Sequence, residues 1–237
     1  MITSYFNFIW HQSANLNNNI LTSYIEPVKK AKILDLGCDD GKLIINRVAN
    51  IEKPEIFGID LRQEPVTLSK KLGIKATKGN IENGLPFKSN FFDVVSANQI
   101  IEHLVDVDKF VKEIHRVLKP KGYLILSTEN LSSWHNIFAL LFGWQAFSQS
   151  ISEVKNIGNP LKLVKLKKPD KSGMHIKIFT PKGLDDLFTI YGFKIEKKFG
   201  AGYYPFPPLL ARFFSKIDRR HSAFIGLKVR KKIKVIK

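Results

Sequence analysis

The segment Ile33-Leu34-Asp35-Leu36-Gly37-Cys38-Asp39-Asp40-Gly41 is a short apolar run that closes on an acid and opens into a glycine-punctuated turn. This is the form of a strand buried on both faces of a parallel sheet, with its tip free to hold a nucleotide-like ligand. A second run, Ile56-Phe57-Gly58-Ile59-Asp60, also ends in an acid. Two strand-end carboxylates on either side of one helix frame a ribose site, because a carboxylate accepts hydrogen bonds from both sugar hydroxyls at once.

Spacing excludes the common phosphate binders. A dinucleotide fingerprint needs glycine at the first, third and sixth positions, and counting from Gly37 these hold Gly37, Asp39 and Lys42. A phosphate loop is missing as well, since Gly41-Lys42 runs into Leu43 and Gly37 stands in the wrong register. Asp39 and Asp40 repel phosphates and suit a ligand carrying an ammonium or a sulfonium.

From Ala31 to Asn130 these residues resemble a class I S-adenosylmethionine-dependent methyltransferase, of the type 11/23-like subgroup that acts on small molecules, glycans or lipids; the likeness is looser through the C-terminal third. Asp39 stands where the family's alternating glycines place the middle one, a substitution that asparate-type side chains allow by entering left-handed backbone conformations. The resemblance implies an α/β, Rossmann-like fold: a seven-stranded, mostly parallel sheet with an antiparallel last strand, helices on both faces, and a cap inserted after the fifth strand. It implies S-adenosylmethionine as cofactor, leaving as S-adenosylhomocysteine. Carried over by position, Asp35, Gly37 and Gly41 line the methionine moiety and Asp60 binds the ribose hydroxyls. Asn80 accepts from the adenine amino group, Ile81 packs on the ring, and Cys38, Leu61 and Asn98 complete the cofactor-binding set. The Cys38 side chain itself reads as a small buried filler rather than a nucleophile.

Methyl transfer from a sulfonium depends mainly on positioning, and a hydroxyl acceptor also needs a base. His103, just past the fourth strand in Asn98-Gln99-Ile100-Ile101-Glu102-His103, and His175, before the last helix, are the candidate catalytic residues. For both the alternative is packing. His135 is the weaker candidate and reads as a hydrogen-bonder of the lid. Some quinone-pathway members of the superfamily hold a divalent ion on a Glu-x-x-Glu-His cluster; here Gln99 replaces the first glutamate, which weakens a hard-cation site, so no catalytic metal is expected.

Patterning organises the chain as one domain over residues 1–237, with an inserted cap at 131–175 and an insertion at 200–221 between the last two strands. Helices are expected at 15–30, 42–49, 65–72, 107–118, with Asp106 as N-cap and Pro120-Lys121-Gly122 as stop, and 181–191, with Thr180-Pro181 at its start. Strands are expected at 33–36, 55–60, 74–77, 91–97, 123–127, 193–199 and 222–230, and an apolar helix at 209–217. In the cap, Phe138, Phe142, Trp144 and Phe147 either pack the lid on the sheet or meet a lipid surface.

Charge is uneven: residues 151–237 carry +15 of the formal net charge of +17. Its runs include 162–171, Lys194-Lys197-Lys198, Arg219-Arg220 and 228–232. Such a face suits an anionic membrane, nucleic acid or a phosphate-bearing substrate, or is simply solvated. The absence of a basic, apolar leader near residue 1 and the single cysteine fit a cytoplasmic protein, peripheral to the membrane if it meets one. The expected activity is methylation of a hydroxyl on a small, glycan-linked or lipid-linked acceptor. An RNA methyltransferase using the basic C-terminal third and a non-catalytic cofactor-binding regulatory subunit are the alternatives, nucleic acid being the less favoured partner for want of an RNA-binding module.

Overall fold

In a computed structural model describing residues 2–152, 154–155, 157–161 and 174–232, seven strands form one sheet in the order β3-β2-β1-β4-β5-β7-β6. The strands are β1 (Lys32–Leu36), β2 (Glu55–Asp60), β3 (Lys75–Lys78), β4 (Phe92–Asn98), β5 (Leu118–Glu129), β6 (Phe193–Ala201) and β7 (Phe224–Lys231). The first five run parallel, and β7 lies antiparallel between β5 and β6. The expected mostly parallel sheet with an antiparallel last strand is present. The helices are α1 (Ile2–Ser23), α2 (Lys42–Arg47), α3 (Gln63–Lys71), α4 (Val107–Val117), α5 (Trp134–Leu141), α6 (Pro181–Ile190) and α7 (Pro208–Ile217).

Strand alternation builds a core on each face of the sheet. Leu34, Leu36, Val95, Ala97, Leu124 and Leu126 pack with Phe110, Val111 and Ile114 of α4 and with Leu184 and Phe188 of α6. Ile33, Val94, Tyr123 and Ile125 point the other way, to Leu21 of α1, Ile44 of α2 and Val66 of α3. Local signals set several ends: the Asp106 side chain accepts from Lys109 N at the start of α4, and the Thr180 hydroxyl accepts from Gly183 N at the start of α6.

Two expectations are corrected. The first helix runs over Ile2–Ser23 rather than 15–30, because its inward row includes the polar Ser13 and Asn17 beside Ile9 and Leu21, a stripe that hydrophobic periodicity understates. Helix α4 ends at Val117, just before Pro120-Lys121-Gly122 as expected, but these residues lie inside β5, which starts at Leu118 rather than at 123. The pairing register shifts there, between Phe92 and Val94, and Lys121 takes φ 66°. A bulge tolerates a proline that lacks its N–H, which is how the strand absorbs the sequence. The expected basic run at 162–171, and with it part of the cap, lies outside the described residues.

The insertion of β7 between two neighbours is tight at Gly226. A Cβ there would lie 2.2 Å from Phe199 Cε1 and 2.6 Å from the Leu126 carbonyl oxygen. Gly226→Ala is expected to destabilise the fold by about 1–3 kcal/mol, the usual cost of overpacking. The denaturation midpoint checks this, and an unchanged midpoint would contradict the packing.

Candidate functional site

The turn after β1 carries three residues in the left-handed region: Gly37 at φ 69°, Asp39 at φ 44° and Gly41 at φ 81°. Asp39 thus does what the glycine it replaces would do. A Cβ on Gly37 would lie 2.1 Å from Ile100 Cδ1, so a side chain there would have to displace the end of Ile100. The turn is tied to β2, since Gly37 N and Cys38 N both donate to the Ile59 carbonyl at 2.8 and 3.1 Å. Ser69 of α3 donates to the Asp39 carbonyl at 2.7 Å. The Cys38 thiol packs into the core against Ser69, and burial pushes its pKa up to about 11, so only its backbone belongs to the turn.

Asp60 ends β2 with its carboxylate turned to this loop. Its Oδ2 accepts Asp39 N at 3.1 Å, and its Oδ1 accepts Arg62 N at 2.9 Å and Arg62 Nε at 3.3 Å. Leu61 beside it is half exposed. Asn80 Oδ1 accepts Glu82 N at 2.9 Å, capping the short turn that carries the half-buried Ile81, so this oxygen already has one partner. Asp35 is buried, and desolvation raises its pKa to about 6 against the pull of Arg47. Arg47 of α2, only 4% exposed, donates to Ser96 Oγ at 2.8 Å and to Asn18 Oδ1 at 3.3 Å, while its Nε has no partner. The sequence reading missed this cation, since an arginine at the end of an ordinary helix pattern carries no sign of burial.

Helix α1 covers the C-terminal ends of β4 and β5. Asn17 Nδ2 donates to Asn98 Oδ1 at 2.9 Å and to Ser127 Oγ at 3.0 Å, and Asn98 Nδ2 donates to Asn18 Oδ1 at 3.0 Å. Asn98, expected among the cofactor ligands, is committed to holding this helix in place. The partner residues lie about 80 positions upstream, a distance over which sequence patterning carries no signal.

Next to this crevice the structure gathers acids and imidazoles. Glu102 is wholly buried; its Oε2 accepts from Thr128 Oγ1 at 2.9 Å, and its Oε1 accepts from the Gln99 amide at 3.1 Å once that amide is oriented to satisfy its neighbours. Gln99 itself sits at φ 56°. The Glu102 carbonyl accepts Ile176 N at 2.9 Å and Lys177 N at 3.1 Å, and this brings His175 beside His103, their ring centroids 4.9 Å apart. His103 Nδ1 lies 2.8 Å from the Met174 carbonyl and His175 Nδ1 lies 2.9 Å from that of Ser148. A carbonyl only accepts, so in the neutral rings each Nδ1 carries the proton and each Nε2 a lone pair. One donor atom from each of Glu102, His103 and His175 lies within 4.8 Å of the others. The spacing around Gln99 carries no sign of this convergence, because His175 arrives from the far end of the cap.

Glu129, at the end of β5, went unnamed in the sequence reading although it carries the strand-then-acid signal used for Asp35 and Asp60. Its Oε2 accepts from Ser148 Oγ at 3.0 Å, and the same hydroxyl lies 3.3 Å from His135 Nε2. His135 therefore binds within the lid, as expected. Tyr204 stands 5.0 Å from the His135 ring, with its hydroxyl unpartnered. Desolvation governs the whole cluster. It raises Glu102 to about 8 and Glu129 to about 7, lowers His175 to about 4 and His135 to about 3, and lowers His103.

Residues 34–126 match a family described as a methyltransferase domain. The chain is 32% identical over 126 residues to an uncharacterized methyltransferase of Schizosaccharomyces pombe, covering 47% of this chain and 45% of that protein. It is 24% identical to a mitochondrial ubiquinone biosynthesis O-methyltransferase of Rattus norvegicus, covering 76% and 49%. The chain spans about half the length of the curated relatives it matches. Among solved structures it is similar to an S-adenosylmethionine-dependent methyltransferase from Listeria monocytogenes, with TM-score 0.61, 18% identity, and coverage of 91% of this chain and 97% of that one. A [4+2]-cyclase, SpnF, shares the fold at TM-score 0.62 and 19% identity over 94% and 83% of the chains. The methyltransferase-domain match covers residues 34–126, and the fold is shared with S-adenosylmethionine-dependent methyltransferases, which implies S-adenosylmethionine as the cofactor.

The residues present suit that cofactor. Asp60 Oδ2 accepts a single N–H and keeps a lone pair for a ribose hydroxyl, and the acids Asp35, Asp39 and Asp40 suit a cationic donor. Asp60→Ala is expected to weaken donor binding by about 1–3 kcal/mol through loss of charge-assisted hydrogen bonds. Calorimetry checks this, and unchanged affinity would reject the role.

A pH dependence also follows. A carboxyl whose folded pKa is raised stabilises at low pH and loses that contribution as pH rises through the folded value, whereas imidazoles with lowered pKa contribute fully above their ordinary 6.5. Thermal stability is therefore expected to fall between pH 6.5 and 8, and Glu102→Gln to flatten that fall. A wild-type melting temperature that rises across this window would contradict the assignment.

Proposed function

We propose that this domain transfers the methyl group of S-adenosylmethionine to a hydroxyl of a small, glycan-linked or lipid-linked acceptor, with His103 or His175 as the base. The observation that carries the reading is the pair of imidazoles whose Nδ1 positions face backbone carbonyls, so that each Nε2 is left to take a proton. The bound donor supplies a methyl group activated by its sulfonium, a step that asks of the protein mainly alignment. An alcohol must lose its proton as the new bond to carbon forms, and an unprotonated imidazole takes it. Burial keeps both rings unprotonated at neutral pH.

The other residues divide the remaining work. Asp60 holds the ribose, Gly37 and Gly41 let the backbone come close to the donor, and Asn17 and Asn98 fasten α1 over the crevice. Glu102 positions the imidazoles through its carbonyl bonds to 176–177. The reading needs no divalent metal: Gln99 stands in place of an anionic ligand and its amide is spent on Glu102. Oxygen as the methylated atom is supported by the names of the ubiquinone O-methyltransferases that the chain resembles over part of its length. The location we propose is cytoplasmic.

Replacing the base with alanine should lower turnover by roughly 10²–10⁴ with donor affinity kept. The measurement is S-adenosylhomocysteine release by His103→Ala and His175→Ala, chelator present, on the extract fraction that supports turnover by the native protein. Native turnover in both variants would return the two histidines to packing.

A further inference from the structure

Three helices of this protein carry their bulk outward. In α7 the residues turned to the protein are the small Ala211 and Ser215, while Leu209 is 81% and Ile217 66% exposed, with Leu210 and Phe213 exposed beside them. In α5 the buried positions are Asn136 and Ala139, and Trp134, Phe138 and Leu141 face out, Leu141 at 78%, with Phe142 exposed just after the helix. Along the first part of α1, Ile9 and Ser13 are buried whereas the larger Tyr5, Phe8 and Trp10 are exposed. A surface helix in water has the opposite arrangement, apolar in and polar out.

These faces adjoin one another. Tyr5 Oη donates to the Pro205 carbonyl at 2.8 Å, joining α1 to the segment that leads into α7. Trp134 Nε1 donates to Tyr203 Oη at 2.6 Å, and Tyr203 stacks on Phe214 with centroids 5.3 Å apart, joining α5 to α7. Large contiguous apolar surfaces of this kind mark interaction sites.

Charge selects the occupant. Arg212 and Lys216 lie on α7 and Arg219 and Arg220 follow it; the acid among them, Asp218, is taken up by Tyr203 at 2.6 Å and by His221. A second copy would bring another +17 to a basic rim, whereas an anionic bilayer offers apolar depth and negative headgroups together. Among the described residues no helix is long and apolar enough to cross a membrane, so the contact is interfacial. We propose that α7, α5 and the start of α1 form a docking face for an anionic lipid bilayer, with Leu209, Phe213 and Leu141 entering the acyl boundary and Arg212, Lys216, Arg219 and Arg220 meeting the headgroups. The docking does not depend on the acceptor or on turnover.

The test is co-sedimentation of the full chain with vesicles of phosphatidylcholine alone or mixed with phosphatidylglycerol. Binding to the mixed vesicles should fall with added salt. The double variant Leu209→Asp/Phe213→Asp should bind at least about tenfold more weakly, and Arg212→Gln/Lys216→Gln should lose most of its preference for the anionic vesicles. None of these side chains is among those assigned to the donor or to the imidazole pair, so calorimetric binding of S-adenosylhomocysteine serves as the control for folding. No sedimentation of the native protein with mixed vesicles at low salt would overturn the proposal. So would equal binding by the apolar double variant, or a concentration-dependent dimer that Leu209→Asp abolishes, which would give the face to a second copy.

Discussion

The left-handed turn between β1 and α2 is the constraint on which the rest of the site depends. Gly37 takes a positive φ that a side chain would strain, and the end of Ile100 packs into the space a Cβ would take. That contact sets the tip of β1 against the loop after β4, the same loop that goes on to carry Gln99, Glu102 and His103. Bonds from Gly37 N and Cys38 N to Ile59 fix the turn on β2, and the backbone of Asp39 then meets the Asp60 carboxylate. The geometry of the donor crevice and the placement of the imidazole cluster thus share one origin.

Desolvation is the second organising force, and it acts in one direction on every titratable group of the cluster. It keeps Glu102 and Glu129 protonated further up the pH scale and keeps the histidines neutral further down. A crevice of largely neutral acids and bases is a place where a proton can be moved without separating charge in a dry interior. The acids of the donor turn differ: Asp39 and Asp40 are held by exposed ion pairs with Arg62 and Lys42, whose worth in water is small, and their contribution is to the local field.

Features encoded by neighbouring residues were legible in the sequence. The strand-turn-acid pattern, the Asp39 backbone, and the caps by Asp106 and Thr180 follow from rules that act within a few positions. The alternating βα order carried the parallel sheet, and resemblance supplied the antiparallel end. What escaped is what tertiary contact creates. His175 reaches His103 only because the Glu102 carbonyl takes two N–H groups from the end of the cap. Arg47 becomes a buried cation only because Ser96 and Asn18 surround it. The apolar character of 209–217 was readable, but which side faces out was not, since Ala211 and Ser215 seat the helix by being small. Glu129 had a readable signal that went unused.

Methyl transfer to oxygen in this crevice is the proposed activity. It is tested most directly by incubating the native protein with methyl-deuterated S-adenosylmethionine and lipid, glycan and small-molecule fractions, followed by mass spectrometry of each. The expected result is deuterated methyl in an O–CH₃ group of one fraction. Donor that binds tightly yet is recovered intact from every fraction, with no labelled product, would contradict it and mark the domain as a cofactor-binding scaffold.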